Sequence, residues 1–263
     1  QWIVRDQSGR AYFETEFRRV FGVSLREEWR NWIEAERKWQ TANLATIRKF
    51  PVTRTEKITP KALGSVSRAF HDPASNSLYL AVRHLGKAPY LAQLSLDTGK
   101  LTHLTNVEGA SLYDVSSLAF DPAGHRIFFT TNSNAIRGLS VYHLDTRKTE
   151  IIARELRVGD LAFHPKDNSL WAIQHVRGQS SLVRMTAPYK DGAIIQKFPY
   201  ATDVSDLDFS PDGEFLAASL VDETGKQRLI RYRVADFVPL TFQLVTQNAG
   251  ELVQNLNADD APR

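Results

Sequence analysis

The stretch that decides the fold is Asp206-Leu-Asp-Phe-Ser-Pro-Asp-Gly-Glu-Phe-Leu-Ala-Ala-Ser219. Its Pro-Asp-Gly centre is typical of a tight turn, because proline fixes φ and glycine accepts the positive φ that many turns require. Apolar and small residues flank the turn on both sides, as expected for two strands joined by a short loop. The stretch therefore predicts a β-hairpin.

The stretch is one of four copies. Each copy has a valine seven residues before a proline, and the pairs are Val66 and Pro73, Val115 and Pro122, Val158 and Pro165, and Val204 and Pro211. An aliphatic residue follows each proline by five positions: Leu78, Ile127, Leu170 and Leu216. Consecutive prolines lie 49, 43 and 46 residues apart, which is about the 40–50 residues of a four-stranded propeller blade. The repeat predicts an all-β fold, a β-propeller with four recognisable four-stranded blades.

The pattern Phe-Ser-Pro-Asp-Gly-x-x-Leu-Ala at 209–217 resembles the repeat signature of TolB-like, WD-repeat-like β-propellers, and residues 118–129 are a second good copy. The first copy departs from it, with Phe70-His71 in place of a small residue followed by Phe. TolB-like propellers usually carry six blades. The resemblance therefore implies a fragment of a six-bladed ring.

The chain is divided on this basis into three parts. Residues 1–50 are a helical segment, residues 51–246 hold the blades, and residues 247–263 are a polar tail or the start of a further blade. Residues 51–59 and 241–246 are candidate outer strands of the first and fourth blades.

The N-terminal segment has a helical pattern. Phe13, Phe17 and Phe21 recur every four residues, and Gly22 can end that helix. Ser24 and Glu27 form a capping-box pattern for a second helix. Apolar residues line this second helix at helical spacing: Leu25, Trp29, Trp32, Ile33 and Trp39.

The string from residue 17 to residue 32 resembles the C-terminal tail of peptidase MA-like (gluzincin) zinc metallopeptidase domains, which precede a TolB-like propeller in some exported bacterial proteins. The resemblance implies an upstream peptidase domain. The alternative is that the helices only cover an edge or face of the propeller, and the two interpretations are compatible.

Composition excludes several kinds of site. The chain has no cysteine, so it has no disulfides, cysteine zinc ligands or thiol nucleophiles. Its 33 basic and 30 acidic residues, with a net charge of +3, are interspersed without a basic stripe, so a nucleic-acid partner is not expected. No apolar run approaches 18 residues, so no transmembrane segment is expected. The chain opens on Gln without a signal peptide, and we expect a periplasmic or exported protein whose signal lies upstream.

Catalytic motifs are missing from the sequence. None of the seven histidines is followed by glutamate, so the His-Glu-x-x-His motif of zinc peptidases is absent. A Gly-x-Ser-x-Gly nucleophile elbow and a P-loop are absent too. We expect that this chain is not itself an enzyme and needs no cofactor.

The channel-side candidates occupy one position of the repeat, five residues before the proline: Arg68, Ser117, Asp160 and Asp206. This position lies on the innermost strand of a blade, beside the central channel. Asp160, Asp206 and Asp208, with Asp203 nearby, are candidate Ca²⁺ ligands, since Ca²⁺ prefers carboxylate oxygens. The alternative is that these carboxylates are simply solvated in a water-lined channel.

The leading functional hypothesis is a non-catalytic interaction module that binds a protein or peptide partner in the bacterial cell envelope. The alternative is an accessory propeller of a larger zinc metallopeptidase or serine peptidase, with its catalytic domain outside this chain. A propeller enzyme such as a lactonase would need converging metal ligands, which the sequence does not assemble.

Overall fold

The computed structural model describes residues 12–51, 54–109, 116–133, 136–237 and 250–255. Contacts divide the chain into two compact units, Gln1–Lys57 and Ile58–Arg263. The first unit is helical and the second is built of β-sheets. The division falls at residue 57, whereas the sequence placed it at residue 50.

The first unit contains two helices, α1 (Tyr12–Phe21) and α2 (Leu25–Ile47). Gly22 ends α1 with a φ of 76°, and its N–H donates to the carbonyl of Arg18 at 2.9 Å. The Ser24 hydroxyl accepts the Glu27 N–H at 3.2 Å and so caps the start of α2. The helix boundaries predicted from these residues are confirmed.

Aromatic side chains remain exposed in the helical unit. Trp29 and Trp32 are 60% and 50% exposed, with ring centroids 5.0 Å apart, and α2 has no buried residue. No helix among the described residues is long and apolar enough to cross a bilayer. Among the described residues, the unit is a pair of helices on which several large apolar side chains, Trp29 and Trp32 among them, are exposed.

The second unit consists of four antiparallel blades. Blade 1 contains β1 (Ser65–Val66), β2 (Phe70–Asp72), β3 (Ser77–Arg83), β4 (Tyr90–Ser95) and β5 (Leu101–Asn106). Blade 2 contains β6 (Leu118–Asp121), β7 (Arg126–Ser133), β8 (Ile136–His143) and β9 (Lys148–Ala153). Blade 3 contains β10 (Val158–Phe163), β11 (Leu170–Val176), β12 (Gln179–Met185) and β13 (Ala193–Lys197). Blade 4 contains β14 (Asp203–Phe209), β15 (Phe215–Val221), β16 (Gln227–Arg233) and β17 (Gly250–Asn255). The predicted propeller of four four-stranded blades is confirmed.

Two details of the blades differ from the sequence-based expectation. The inner strand of blade 1 is split into β1 and β2, because the Ser67 hydroxyl accepts the Ala81 N–H at 2.8 Å in place of a ladder carbonyl. The outer strand of blade 4 is β17, which extends the blade beyond residue 246. The candidate outer strand at 241–246 lies outside the described residues, and residues 54–59 form no strand.

Each blade has two faces, because alternate residues of a strand point to opposite sides. We call the face toward the following blade the forward face and the other the backward face. An aromatic residue six positions after the repeat proline fills the forward face of the first three blades: Tyr79, Phe128 and Trp171, all 4% exposed or less. The backward face carries the aliphatic residue five positions after the proline.

Successive blades pack together because the aromatic side chain on each forward face lies against the backward face of the next blade. Tyr79 shares a buried cluster with Ile127 and Phe129, and Trp171 shares one with Leu216 and Ala218. Phe128 packs with Leu170 and Ala172 in the same way. The core of the propeller is therefore a series of interfaces between successive sheets.

Gly213 of the deciding stretch has a role in one of these interfaces. Its φ is 66°, and a Cβ there would lie only 2.9 Å from Cε1 of His164 in blade 3. The His164 Nε2 in turn lies 3.0 Å from the Gly213 carbonyl oxygen. Glycine is thus required at position 213 for two reasons: the turn has a positive φ there, and His164 of the neighbouring blade leaves no room for a Cβ.

Trp171→Ala should lower the free energy of unfolding by ~3–5 kcal/mol, because it empties the buried interface between blades 3 and 4. Denaturant unfolding of the whole chain measures this. Tyr200→Ala is the control, since Tyr200 is 66% exposed and its loss should change stability by less than about 0.5 kcal/mol. Equal effects of the two substitutions would contradict this packing.

Candidate functional site

The inner strands of blades 3 and 4 each contain a β-bulge. In β10 the register shifts between Gly159 and Ala162, and in β14 it shifts between Ser205 and Asp208. The residue five before the proline begins each bulge in the left-handed region, with φ of 49° at Asp160 and 56° at Asp206. Aspartate adopts this conformation more readily than most residues, and a bulge leaves backbone groups without ladder partners.

Side chains from the preceding blade satisfy the N–H groups that the bulges release. The Ser117 hydroxyl of blade 2 accepts the Leu161 N–H of blade 3 at 2.7 Å. One carboxylate oxygen of Asp160 in blade 3 accepts the Asp206 N–H of blade 4 at 3.1 Å. We call these two contacts the bulge caps, and they join successive inner strands around the channel.

Arg68 occupies the same repeat position in blade 1 but cannot cap an N–H group, because a guanidinium has no acceptor. It reaches blade 4 instead, where Nη1 donates to the Leu207 carbonyl at 2.8 Å and Nη2 pairs with an Asp208 carboxylate oxygen at 2.5 Å. The guanidinium also lies over the Phe70 ring, 5.0 Å from its centroid. Arg68 therefore connects the first and fourth inner strands.

The three carboxylates predicted as candidate Ca²⁺ ligands have different partners. Asp160 accepts a backbone N–H, Asp208 pairs with Arg68, and Asp206 accepts the Ser205 hydroxyl at 3.2 Å. In the described part of the chain, no three His, Cys, Asp or Glu side chains form a group that could hold a metal ion. The shared repeat position thus lies on the inner strand of each blade. Three of its four side chains, those of Arg68, Ser117 and Asp160, form hydrogen bonds with a different blade.

Burial raises the pKa of the Asp160 carboxyl above its ordinary value near 3.8, and the neighbouring Asp206 carboxylate adds to the rise. The Asp206 N–H and the charges of Arg137 and His175 act in the opposite direction. The folded protein therefore binds a proton at Asp160 more readily than the unfolded chain does.

One end of the propeller, which we call the channel mouth, carries the loops from each second strand to the third and from each outer strand to the next blade. Three large apolar side chains are exposed there: Leu85, Val176 and Tyr200, at 104%, 41% and 66%. Leu85 lies between β3 and β4, Val176 ends β11, and Tyr200 lies between β13 and β14.

Arginines lie in loops at the same end in blades 2 and 3. Arg154 and Arg157 lie in the loop after β9, and Arg177 lies in the turn after β11. All three are exposed, and the loop after β9 also contains the acidic residue Glu155. The backbone of Arg157 is held by two hydrogen bonds, from its N–H to the Arg137 carbonyl at 2.9 Å and from the His175 N–H to its own carbonyl at 3.1 Å. The described mouth loops after β9 and β11 therefore carry exposed apolar and basic side chains, and the backbone of Arg157 is held in place by hydrogen bonds.

Sequence reasoning missed the mouth residues, since nothing in the repeat marks which loop side chains stay exposed. It also missed the bulge caps. A signal for the caps was present, because Ser117, Asp160 and Asp206 are of the residue types that accept backbone N–H groups.

Asp160→Asn should become more stable relative to the wild type as the pH rises above about 3.8. A group whose pKa is raised on folding contributes stability at low pH and loses it as the pH rises through the folded pKa. Asparagine keeps an oxygen that can cap the Asp206 N–H but carries no charge, so its stability does not depend on this titration. Urea unfolding of both proteins from pH 3 to pH 8 measures the difference in their free energies of unfolding.

Ser117→Ala is the control for this series. It removes the other bulge cap and should lower the free energy of unfolding by about 1–2 kcal/mol. This loss should not depend on the charge of Asp160. A constant difference between Asp160→Asn and the wild type across the pH range would contradict the assignment.

Comparison with known proteins identifies the architecture. No protein-family model and no curated protein matches the sequence. Among solved structures, TolB from Acinetobacter baumannii superposes with a TM-score of 0.58 at 12% identity, over 73% of this chain and 44% of that one. An Agrobacterium tumefaciens protein described as a TolB gives a TM-score of 0.53 at 12% identity, over 62% of this chain and 60% of that one.

An auxiliary nutrient binding protein from Bacteroides thetaiotaomicron gives a TM-score of 0.52 at 12% identity, over 72% of this chain and 42% of that one. The chain therefore spans about half the length of the solved structures that it matches. At these identities the likeness concerns the fold. The second unit has the fold of TolB-like β-propellers over four blades.

Proposed function

We propose that this propeller is a non-catalytic interaction module that binds a protein or peptide partner at the channel mouth, in the bacterial cell envelope. The observation that carries the proposal is the exposure of Leu85, Val176 and Tyr200 at one end of the unit. Large apolar side chains exposed on one surface are a feature of interaction sites, and these three lie in loops at the same end of the unit.

The charge of the mouth indicates the chemistry of the partner. In the mouth loops after β9 and β11, Arg154, Arg157 and Arg177 outnumber the one acidic residue, Glu155; Glu108, Asp222 and Glu223 lie in other loops at the same end. Arginine and tyrosine are enriched among the residues that dominate protein interfaces. A peptide or loop that carries apolar and acidic side chains fits this surface.

The rigidity of the blades supports a binding role. The backbone of Arg157 is held by hydrogen bonds to Arg137 and His175, so this part of the mouth needs little ordering when a partner binds, which favours affinity. The envelope location is proposed from the TolB-like fold.

Photo-crosslinking tests this proposal. A photoreactive amino acid at Tyr200 or Leu85 should capture a protein from an envelope extract, whereas the same group at Thr146, in the turn between β8 and β9 at the other end, should not. Equal capture at both ends would contradict a site at the mouth.

Charge reversal then tests the specificity of the captured partner. Arg157→Glu should weaken binding about tenfold or more, because it replaces a favourable charge contact with repulsion. Arg147→Glu is a matched control, since both arginines are exposed and have a φ of 55° but lie at opposite ends. Binding measured with the purified partner should be unchanged in the control.

A second candidate is an accessory propeller of a larger zinc metallopeptidase or serine peptidase whose catalytic domain lies outside this chain. The exposure of Trp29 and Trp32 on α2 supports it, because amphipathic helices ordinarily bury their apolar stripe against another element. On this view the helices pack on the catalytic domain.

Peptidase assays distinguish the two candidates. The full-length gene product should hydrolyse casein, with loss of activity on metal chelation or on treatment with a serine-directed inhibitor, and the present chain alone should not. Inactivity of the full-length protein would remove the second candidate. Turnover by this chain alone would contradict the proposal that it is non-catalytic.

A further inference from the structure

Residues 54–57, at the C-terminal end of the first unit, are exposed and belong to no helix or strand. We call them the open segment. Among the described residues, no hydrogen bond is made by the backbone N–H and C=O groups of this segment. Arg54 Nε lies 4.0 Å from a Glu56 carboxylate oxygen, in an ion pair whose side chains are 90% and 79% exposed. An exposed pair of this kind adds little stability, so little fixes the conformation of the open segment.

The residues that follow lie against blade 1, and we call residues 58–64 the strap. Leu63 packs on the buried cluster that contains Leu80. The carbonyl oxygen of Ile58 lies so close to the turn between β4 and β5 that a Cβ on Gly99 would be 2.6 Å from it. The strap is therefore part of the second unit, although it forms no strand.

Lys61 lies inside the strap, between these two contacts. The Thr59 hydroxyl donates to the Lys61 carbonyl at 2.9 Å. Gly64 ends the strap with a φ of 75°, and a Cβ there would lie 2.4 Å from the Arg83 carbonyl oxygen of blade 1. The backbone on both sides of Lys61 is thus positioned by blade 1.

Basic residues in the loops and turns of the blades have hydrogen-bonded backbones. The Arg157 N–H donates to the Arg137 carbonyl at 2.9 Å. The Lys87 N–H donates to the His84 carbonyl at 3.1 Å. Backbone groups also form hydrogen bonds at three further basic residues of these loops: Lys100, Lys166 and Lys226. A protease must open such bonds before it can bind the chain, so these loops are poor substrates.

The helix before the open segment is also protected. Arg37 and Lys38 are exposed, but they lie within α2, where backbone N–H groups donate to carbonyls four residues earlier. After the helix, the Lys49 N–H still donates to the Thr46 carbonyl at 3.1 Å. A protease must unwind α2 to bind there, whereas the open segment needs no such step.

The open segment contains two residues of the type that trypsin-like proteases recognise. These enzymes take a basic side chain into a pocket whose aspartate sets their specificity, and they cut the peptide bond that follows it. Thr55 follows Arg54, and Ile58 follows Lys57. Neither of the two peptide bonds involves proline, so both have the ordinary geometry of a substrate.

We propose that the open segment is a processing site, at which a protease of trypsin-like specificity cuts the chain after Arg54 or Lys57. Water adds across the peptide bond, so the first product ends in a carboxylate and the second begins with an ammonium group. The second product keeps the strap and the four blades, because both bonds precede Ile58. The inference is independent of the partner proposed for the channel mouth.

Limited digestion of the chain with trypsin tests this proposal, with the products identified by intact mass and N-terminal sequencing. Among the described residues, the first cut should follow Arg54 or Lys57, and the product that begins at Thr55 or Ile58 should accumulate. Trp171 is the one tryptophan in the sequence of this product. Its emission should stay that of a buried ring, as expected for a side chain that is 2% exposed.

The double variant Arg54→Gln/Lys57→Gln should slow the first cut by about tenfold or more, since cleavage elsewhere requires local opening. Lys61→Gln is the matched control. Lys61 is exposed as well, but it lies in the strap, so its replacement should leave the first cut unchanged.

Other digestion patterns would overturn the proposal. A first product that begins at Ala62 would mean that blade 1 does not hold the strap. A first cut within α2 or within a blade would mean that the open segment is not the accessible part of the chain. An unchanged rate in the double variant would remove Arg54 and Lys57 as the site.

Discussion

Three aromatic side chains, Tyr79, Phe128 and Trp171, leave the second strand of their blades and lie buried against the blade that follows. A single four-stranded sheet has two faces and cannot bury both by itself, so each blade depends on its neighbours for a core. These aromatic contacts hold successive sheets together, and they thereby place the inner strands around the channel and the loops at its mouth. Blade 4 has Ala217 in place of this aromatic, and among the described residues the side chains on the forward face of β15 are half-exposed.

Polar contacts on the inner strands depend on this packing. The bulges at Asp160 and Asp206 release backbone groups close to the neighbouring blade, and Ser117 and Asp160 satisfy two of them. Polar side chains beside a propeller channel can thus be structural, since an unsatisfied buried N–H is costly. In this protein the exposed residues of the mouth loops are the better candidates for contact with a partner.

In the helical unit, the ends of the helices are set by contacts that are local in the sequence. Gly22 and Ser24 set the helix ends through local hydrogen bonds, which need no tertiary partner. Trp29 and Trp32 remain exposed, although burying such rings is what ordinarily stabilises an amphipathic helix. Among the described residues, the large apolar side chains of α2 are therefore more exposed than those of the blades.

The sequence by itself determined the features that depend on neighbours along the chain. The Pro-Asp-Gly turn, the spacing of the four prolines and the ends of α1 and α2 follow from local conformational preferences, so they were predictable from residues such as Pro211, Gly213 and Ser24. The tertiary structure alone decided the rest. That Asp160 caps a residue 46 positions later, that Arg68 reaches blade 4, and that β17 completes the sheet depend on how the blades curve around the channel. Contacts of this kind join residues that are far apart in the sequence. The local pattern of residues does not show which of them come close together in the folded protein.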